Sequence, residues 1–341
     1  MGRIPISLIR GFMCTLALTL GACTASPELS DDSEVPDITV RARIDSLRSL
    51  WTELRPAYEG EPYTAVPVWE QAPYAPGELA PGFVADGMNT LLFLRYVTGL
   101  RSTVQVGDYR EDTQHGAVLM AHVGALLRTP AQPADMDDVF YASALNGIAG
   151  SNLAAGSALT TLEDAIELWM DKRSPTERLL DRRWLLSPRM ARTGFGYVDG
   201  FVLLYVLDSS HTPTSRDGVV AWPAPRATPV EFFSANSYWS VSLDPDVYLA
   251  PSAAEVTVTV TRRSDGTSWV LDASTGESAP DGSWFDVDGS TAPDPAIIFR
   301  PGSDAVPAPG ATFDVEIEGL RTTGGAPAPL AYEVTFFSLT I

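Results

Sequence analysis

The chain has 341 residues, with 23 basic and 43 acidic side chains, a formal net charge of −20 at pH 7 and two cysteines. A surface this acidic is repelled by phosphate backbones and anionic headgroups, which argues against nucleic acid as a partner. The length suffices for two hydrophobic cores, and the shortage of cysteine leaves packing to hold them together.

Residues 1–22 read as an export signal. Arg3 and Arg10 make a basic n-region, 11–20 (GFMCTLALTL) an apolar h-region, and small residues precede Cys23. The apolar run is short of the roughly 20 residues that a membrane-spanning helix takes. Leu20-Gly21-Ala22-Cys23 resembles the lipobox of bacterial lipoproteins. That resemblance implies cleavage before Cys23, acylation there and anchoring in the cell envelope, with Thr24 and Ala25 favouring the outer membrane. Several acyl chains make a stable anchor where one is marginal. Cys14 leaves with the signal and Cys23 is consumed by lipid, so no disulfide is expected in the mature chain.

Residues 23–40 are acidic, with Ser and Pro, and are expected to be a disordered tether. Ile44, Leu47, Leu50, Trp51 and Leu54 stand at helical spacing within 41–57, and Pro56 ends that pattern. Residues 58–82, rich in Pro and Tyr, read as an extended wrap over another surface. Helices are expected over 83–97, 109–127 and 160–171, with Thr161 a candidate N-cap, and a shorter one over 135–145. Phe195 to Leu207 is dense in β-formers around Asp199-Gly200 and predicts buried strands. From Val230 onward the chain is strand-like, with a hairpin signal at Ser264-Asp265-Gly266. Helices first and strands afterwards predict an α+β fold whose C-terminal part is an all-β sandwich, with a boundary near Pro223–Pro229.

Several stretches, taken in order, resemble bacterial members of the CAP superfamily, the group of cysteine-rich secretory proteins, antigens and pathogenesis-related proteins. They are 86–100 (DGMNTLLFLRYVTGL), 114–130 (QHGAVLMAHVGALLRTP), 150–156 (GSNLAAG), 164–172 (DAIELWMDK) and 181–200 (DRRWLLSPRMARTGFGYVDG). The transition at 221–243 is similar to that into a β-domain in some members. The resemblance implies a three-layer α-β-α sandwich over 83–225, followed by an immunoglobulin-like sandwich over 226–341.

The family's cavity is lined by two histidines and two acids and in some members binds a divalent metal. Carried over position by position, the pattern breaks. Arg128 stands where the family has His, Ser151 where it has Glu, and Asp181 where it has the second His. One acid survives as Asp164 or Glu163. Arginine has no lone pair to offer a metal, and one carboxylate would leave the ion mostly hydrated. No metal, cofactor or catalytic residue is therefore expected, and Arg128 and Asp181 are expected to pair with each other instead. The implied function is a non-enzymatic, envelope-anchored module that binds a lipid, a glycan or an envelope protein. The alternatives are a peptidase-like hydrolase and a structural spacer.

Other candidates are weaker on their residues. His115 and His122 share a helix face, but seven residues apart they do not make a compact metal motif, and His211 sits in a polar loop. Trp222, Phe232, Phe233, Tyr238 and Trp239 fit an apolar seam better than a sugar platform. Asp135, Asp137 and Asp138 fit a helix-capping face better than a calcium loop, because Met136 breaks the oxygen alternation.

Overall fold

A computed structural model describes residues 39–100, 104–171, 178–213, 218–275, 279–290 and 292–340. The signal, Cys23 and the tether lie outside the described residues, apart from Thr39 and Val40. The elements in chain order are α1 (Val40–Leu54), β1 (Tyr63–Ala65), β2 (Glu78–Leu79), α2 (Pro81–Val97), β3 (Gln105–Val106), α3 (Tyr109–Val123) and α4 (Asp138–Ala149). There follow β4 (Ser151–Ala155), α5 (Leu162–Met170), α6 (Leu180–Leu185), β5 (Arg192–Thr193), β6 (Phe195–Val198) and β7 (Phe201–Tyr205). The rest is β8 (Val219–Trp222), β9 (Arg226–Pro229), a 3-10 turn (Val230–Phe232), β10 (Trp239–Leu243), β11 (Thr257–Arg262), β12 (Ser268–Leu271), β13 (Trp284–Asp288), β14 (Ala296–Arg300), β15 (Thr312–Glu318) and β16 (Leu330–Phe337). The fold is mixed α+β, with a helix-rich N-terminal region holding small sheets and a mostly β C-terminal region.

Local chemistry accounts for the helix limits. Thr161 caps α5 in a complete capping box with Asp164. Asp137 caps α4 by accepting from the N–H groups of Val139 and Phe140, so that helix starts later than the sequence predicts and runs on to Ala149. Gly124, left-handed at φ 69°, closes α3 at Val123, so 124–127, expected to be helical, lie outside it.

In the helical half, β4, β7 and β6 form a three-stranded antiparallel sheet in the order β4-β7-β6. The turn between β6 and β7 is Asp199-Gly200, at φ 46° and 77°, the left-handed pair that a tight hairpin needs. Successive residues of β7 face opposite sides. Val202 and Leu204 join the core shared with α2 and α5, whereas Leu203 joins the core of α3 and α4. Helices thus cover both faces of the sheet. The helix α3 approaches its neighbours closely, because Gly147 and Gly196 give it room. A Cβ at Gly147 would stand 2.0 Å from the Asp112 carbonyl oxygen, and one at Gly196 2.1 Å from that of Thr113.

The β half has two sheets, ordered β13-β14-β10-β8 and β12-β11-β15-β16-β9; all pairings are antiparallel except that of β16 with β9. Trp239 of the first sheet meets Phe313 of the second edge-on at 5.7 Å. β8 and β9 lie on either side of the expected boundary, yet each completes an edge of a C-terminal sheet. One apolar core runs through both halves. The first helix bridges them: Trp51 lies 4.8 Å from Phe93 of α2 and 5.6 Å from Phe232. Trp222, Phe232, Phe233, Tyr238 and Trp239 are all buried, as the seam reading requires.

Candidate functional site

Arginines tie the two halves together. Arg182 is fully buried and donates from Nε to the Met170 carbonyl (2.7 Å) and from Nη1 to that of Tyr238 (2.6 Å). Burial lowers its pKa to about 9, which leaves it charged at neutral pH. Arg183 donates to the Asp288 carboxylate at 2.7 Å and to the carbonyl of Asp294. Arg189 reaches Asp244 at 3.2 Å. These side chains fasten the DRRWLL segment of α6 to the outer face of the first C-terminal sheet, where Leu179 packs with Ile298 and Trp284.

Of the four positions that the resemblance assigned to a cavity, Arg128, Ser151 and Asp164 serve the scaffold with their side chains. Arg128 donates from Nη1 to the carbonyls of Ile148 (3.0 Å) and Ser151 (2.5 Å). The expected ion pair with Asp181 is absent among the described residues. The Ile148 carbonyl at the negative end of α4 and the Ser151 carbonyl at the start of β4 draw the guanidinium instead. The Ser151 hydroxyl turns back onto the Gly147 carbonyl at 2.6 Å. Asn152, next to it, donates to the backbone carbonyl of Asp181 at 2.9 Å. Asp164 accepts from the Thr160 and Thr161 N–H groups, both at 2.8 Å, in the α5 cap. Among the described residues, no three His, Cys, Asp or Glu side chains converge as metal ligands.

Two of the imidazoles are engaged elsewhere. His115 Nδ1 donates to the Glu111 carbonyl at 2.7 Å, and His122 Nδ1 to that of Trp69 at 2.9 Å. The backbone N–H of His211 donates to the Arg189 carbonyl. Asp137 caps α4, and Asp135 accepts from the Tyr74 hydroxyl at 2.9 Å.

A cleft of about 890 Å³ opens between α5 and the turn at 230–234. Asp164, Glu167 and Asp171 stand along one wall and Glu231 on the other, with Leu168, Phe232 and Phe233 between them. The spacing of the first three, i, i+3 and i+7, puts them on one face of a helix. Asp171 Oδ1 accepts from the hydroxyls of Ser234 (2.9 Å) and Ser237. Glu231 Oε1 accepts from the Leu339 N–H at 2.8 Å and the Ser338 hydroxyl at 2.7 Å. The Glu167 carboxylate has no hydrogen bond or ion pair among the described residues, and its pKa is raised by partial desolvation against the wall and then by the charges of Asp164 and Glu163. Among the described residues, no imidazole, thiol, amine or guanidinium lines the cleft. A carboxylate is too weak a base to activate the Ser234 hydroxyl unaided, and serine nucleophiles are paired with an imidazole or an amine.

The sequence reading took Asp164 for a relic of a metal cavity and passed over Glu167, Asp171 and Glu231. The helical spacing of the three acids was legible, but the approach of Glu231 was not. No protein-family model matches the chain, and neither a curated protein nor a solved structure matches it.

Proposed function

We propose that the chain is an exported lipoprotein, anchored through Cys23 in the envelope and at the outer membrane, that binds a ligand without turning it over. In this reading the helical half is a CAP-type three-layer α-β-α sandwich and the β half an immunoglobulin-like sandwich. Helices on both faces of the β4-β7-β6 sheet and two facing C-terminal sheets support that assignment. The observation that carries binding is the cleft. At about 890 Å³ it has the size of a ligand site, which a structural spacer does not need. Among the described residues its lining lacks a base for a nucleophile, and Arg128, Ser151, Asp164 and Asp181 do not converge on one site, which favours binding over hydrolysis.

The test is to incubate the full-length chain in a non-ionic detergent with casein and with a mixed peptide library, with and without added zinc. No hydrolysis above the buffer rate is expected in either case. Zinc-stimulated turnover would replace this reading with that of a hydrolase.

A further inference from the structure

We propose that the chain cuts its own backbone at the Asp294-Pro295 bond, with the Asp294 carboxyl as internal nucleophile and Arg183 holding the reacting carbonyl. This activity is separate from binding at the cleft and uses none of its residues. The bond lies just before β14, in the seam between the helices and the first C-terminal sheet, and Asp294 is buried there. An amide resists attack because its nitrogen leaves poorly. Proline weakens that resistance, since its nitrogen carries no N–H and departs as a basic secondary amine. An aspartate on the acyl side can close a five-membered ring onto its own carbonyl carbon, without the entropy cost of bringing two molecules together.

Three features of the seam meet the needs of that reaction. Arg183, itself buried, donates from Nη2 to the Asp294 carbonyl oxygen. A fixed cation in a dry site stabilises the negative charge that an attack places on that oxygen. Asp294 Oδ1 is buried and accepts no hydrogen bond, so the nucleophile is not committed to the scaffold. Arg189 Nε, 3.7 Å away, is its ion-pair partner. Burial raises the Asp294 pKa to about 6, helped by Asp244 after β10 and opposed by Arg189 and by Arg183 of α6. Below that pH the neutral carboxyl carries the proton that the leaving nitrogen needs.

The step balances within the chain and one water. A carboxyl oxygen of Asp294 attacks the carbonyl carbon of the same residue, and the C=O electron pair moves onto the oxygen held by Arg183. The pair returns as the C–N bond breaks, the carboxyl proton passes to the Pro295 nitrogen, and a cyclic anhydride remains on Asp294. Water opens the ring, leaving two carboxyl groups on a C-terminal Asp294 and a free amine on Pro295. Nothing is oxidised or reduced. β14 stays paired with β10 and β13, so the two pieces remain one folded body. The other Asp-Pro bond of the sequence, Asp244-Pro245, is a natural comparison. Asp244 is also buried, but its Oδ1 accepts from the Asp246 N–H at 2.9 Å and from Arg189 at 3.2 Å.

The full-length chain in a non-ionic detergent is held at 37 °C for a week at pH 5.5 and at pH 8, then denatured and read by mass spectrometry. A fragment beginning at Pro295 is expected at pH 5.5. Roughly a hundredfold less is expected at pH 8, two units above the carboxyl's pKa. Its fractional yield should not depend on protein concentration. Asp294→Asn should abolish the cut. The double variant R183M/D288L removes the guanidinium without stranding a charge and should slow it about a hundredfold, the worth of one oxyanion donor. Melting temperatures at pH 5.5 report whether both variants fold. Absence of the fragment from the unaltered chain at pH 5.5 overturns the proposal, as does an undiminished rate in either folded variant. Yield that rises with concentration does so too, since it means one chain or a contaminant cutting another. Equal cutting at Asp244-Pro245, or of the chain unfolded in urea, would reduce it to the ordinary acid lability of an Asp-Pro bond. These last comparisons use the unaltered chain and decide the matter even where a variant fails to fold.

Discussion

The Arg183 guanidinium and the Asp288 carboxylate form an ion pair across the seam between helices and sheets, 2.7 Å apart, with side chains 1% and 2% exposed. A buried pair adds little over an apolar replacement, but stranding one partner is costly. Asp288→Ala leaves Arg183 charged and buried and should cost about 3–5 kcal/mol. Urea unfolding measures it, and replacing both residues by Met and Leu should recover most of the loss. An Asp288→Ala midpoint equal to that of the unaltered chain would show that the pair does not hold the seam.

Asp294 lies beside that pair and gives the seam a pH dependence. Burial raises its pKa from the ordinary 3.8 to about 6, Asp244 adds to the rise, and Arg189 and Arg183 oppose it. A folded-state pKa above the unfolded one stabilises fully below the unfolded value, and that contribution is lost as the pH rises through the folded one. Relative to Asp294→Asn, the unaltered chain should therefore lose about 2 kcal/mol between pH 4 and pH 7.5. Urea unfolding at pH 4, 6 and 7.5 checks it, and parallel stability curves for the two proteins would refute it.

Close packing of α3 leaves Gly147 no room for a methyl group. Asp112 opposes it with backbone, which cannot rotate aside as a side chain does. Gly147→Ala should destabilise by about 3 kcal/mol through overpacking, despite the better helix propensity of alanine. Gly266→Ala, with no atom within 4 Å of the added carbon, controls for the loss of glycine as such and reports only the strain of its φ of 73°. Thermal unfolding of the two variants compares them, and an equal shift would remove the packing explanation.

Anchoring is tested at the thiol. Cys23→Ala removes the acylation site that the lipobox resemblance implies. The chain should then leave the membrane fraction for the soluble one, as followed by fractionation and immunoblot. Among the described residues no helix is long and apolar enough to cross a membrane, so none would hold the variant in the bilayer. Continued membrane association after the substitution would contradict lipid anchoring.

The order of elements was legible because its signals are local. Thr161 three residues before Asp164 announces a capped helix, and Asp199-Gly200 between β-rich runs announces a hairpin, whatever the rest of the chain does. The alternation of apolar residues in β11 and β15 is likewise written in the segments themselves. Misplaced limits fell where one residue decided the matter, as when the left-handed Gly124 ended α3 early.

The candidate site was hardly legible, for the opposite reason. Arg128 looked like half of an ion pair, but the carbonyls of Ile148 and Ser151, where α4 passes into β4, take it, and no residue type signals where a backbone carbonyl will point. Glu231 meets the α5 acids only because the 3-10 turn after β9 folds against that helix.

By itself, then, the sequence determined the α+β order, the caps and turns, and the acidic balance, all properties of neighbouring residues or of composition. The tertiary structure alone decided which charges pair and which stay open. Arg183 and Asp288 are 105 positions apart, and their pairing depends on where packing of the core brings the two halves together. Among the described residues, the same packing leaves the Glu167 carboxylate without a hydrogen bond or ion pair.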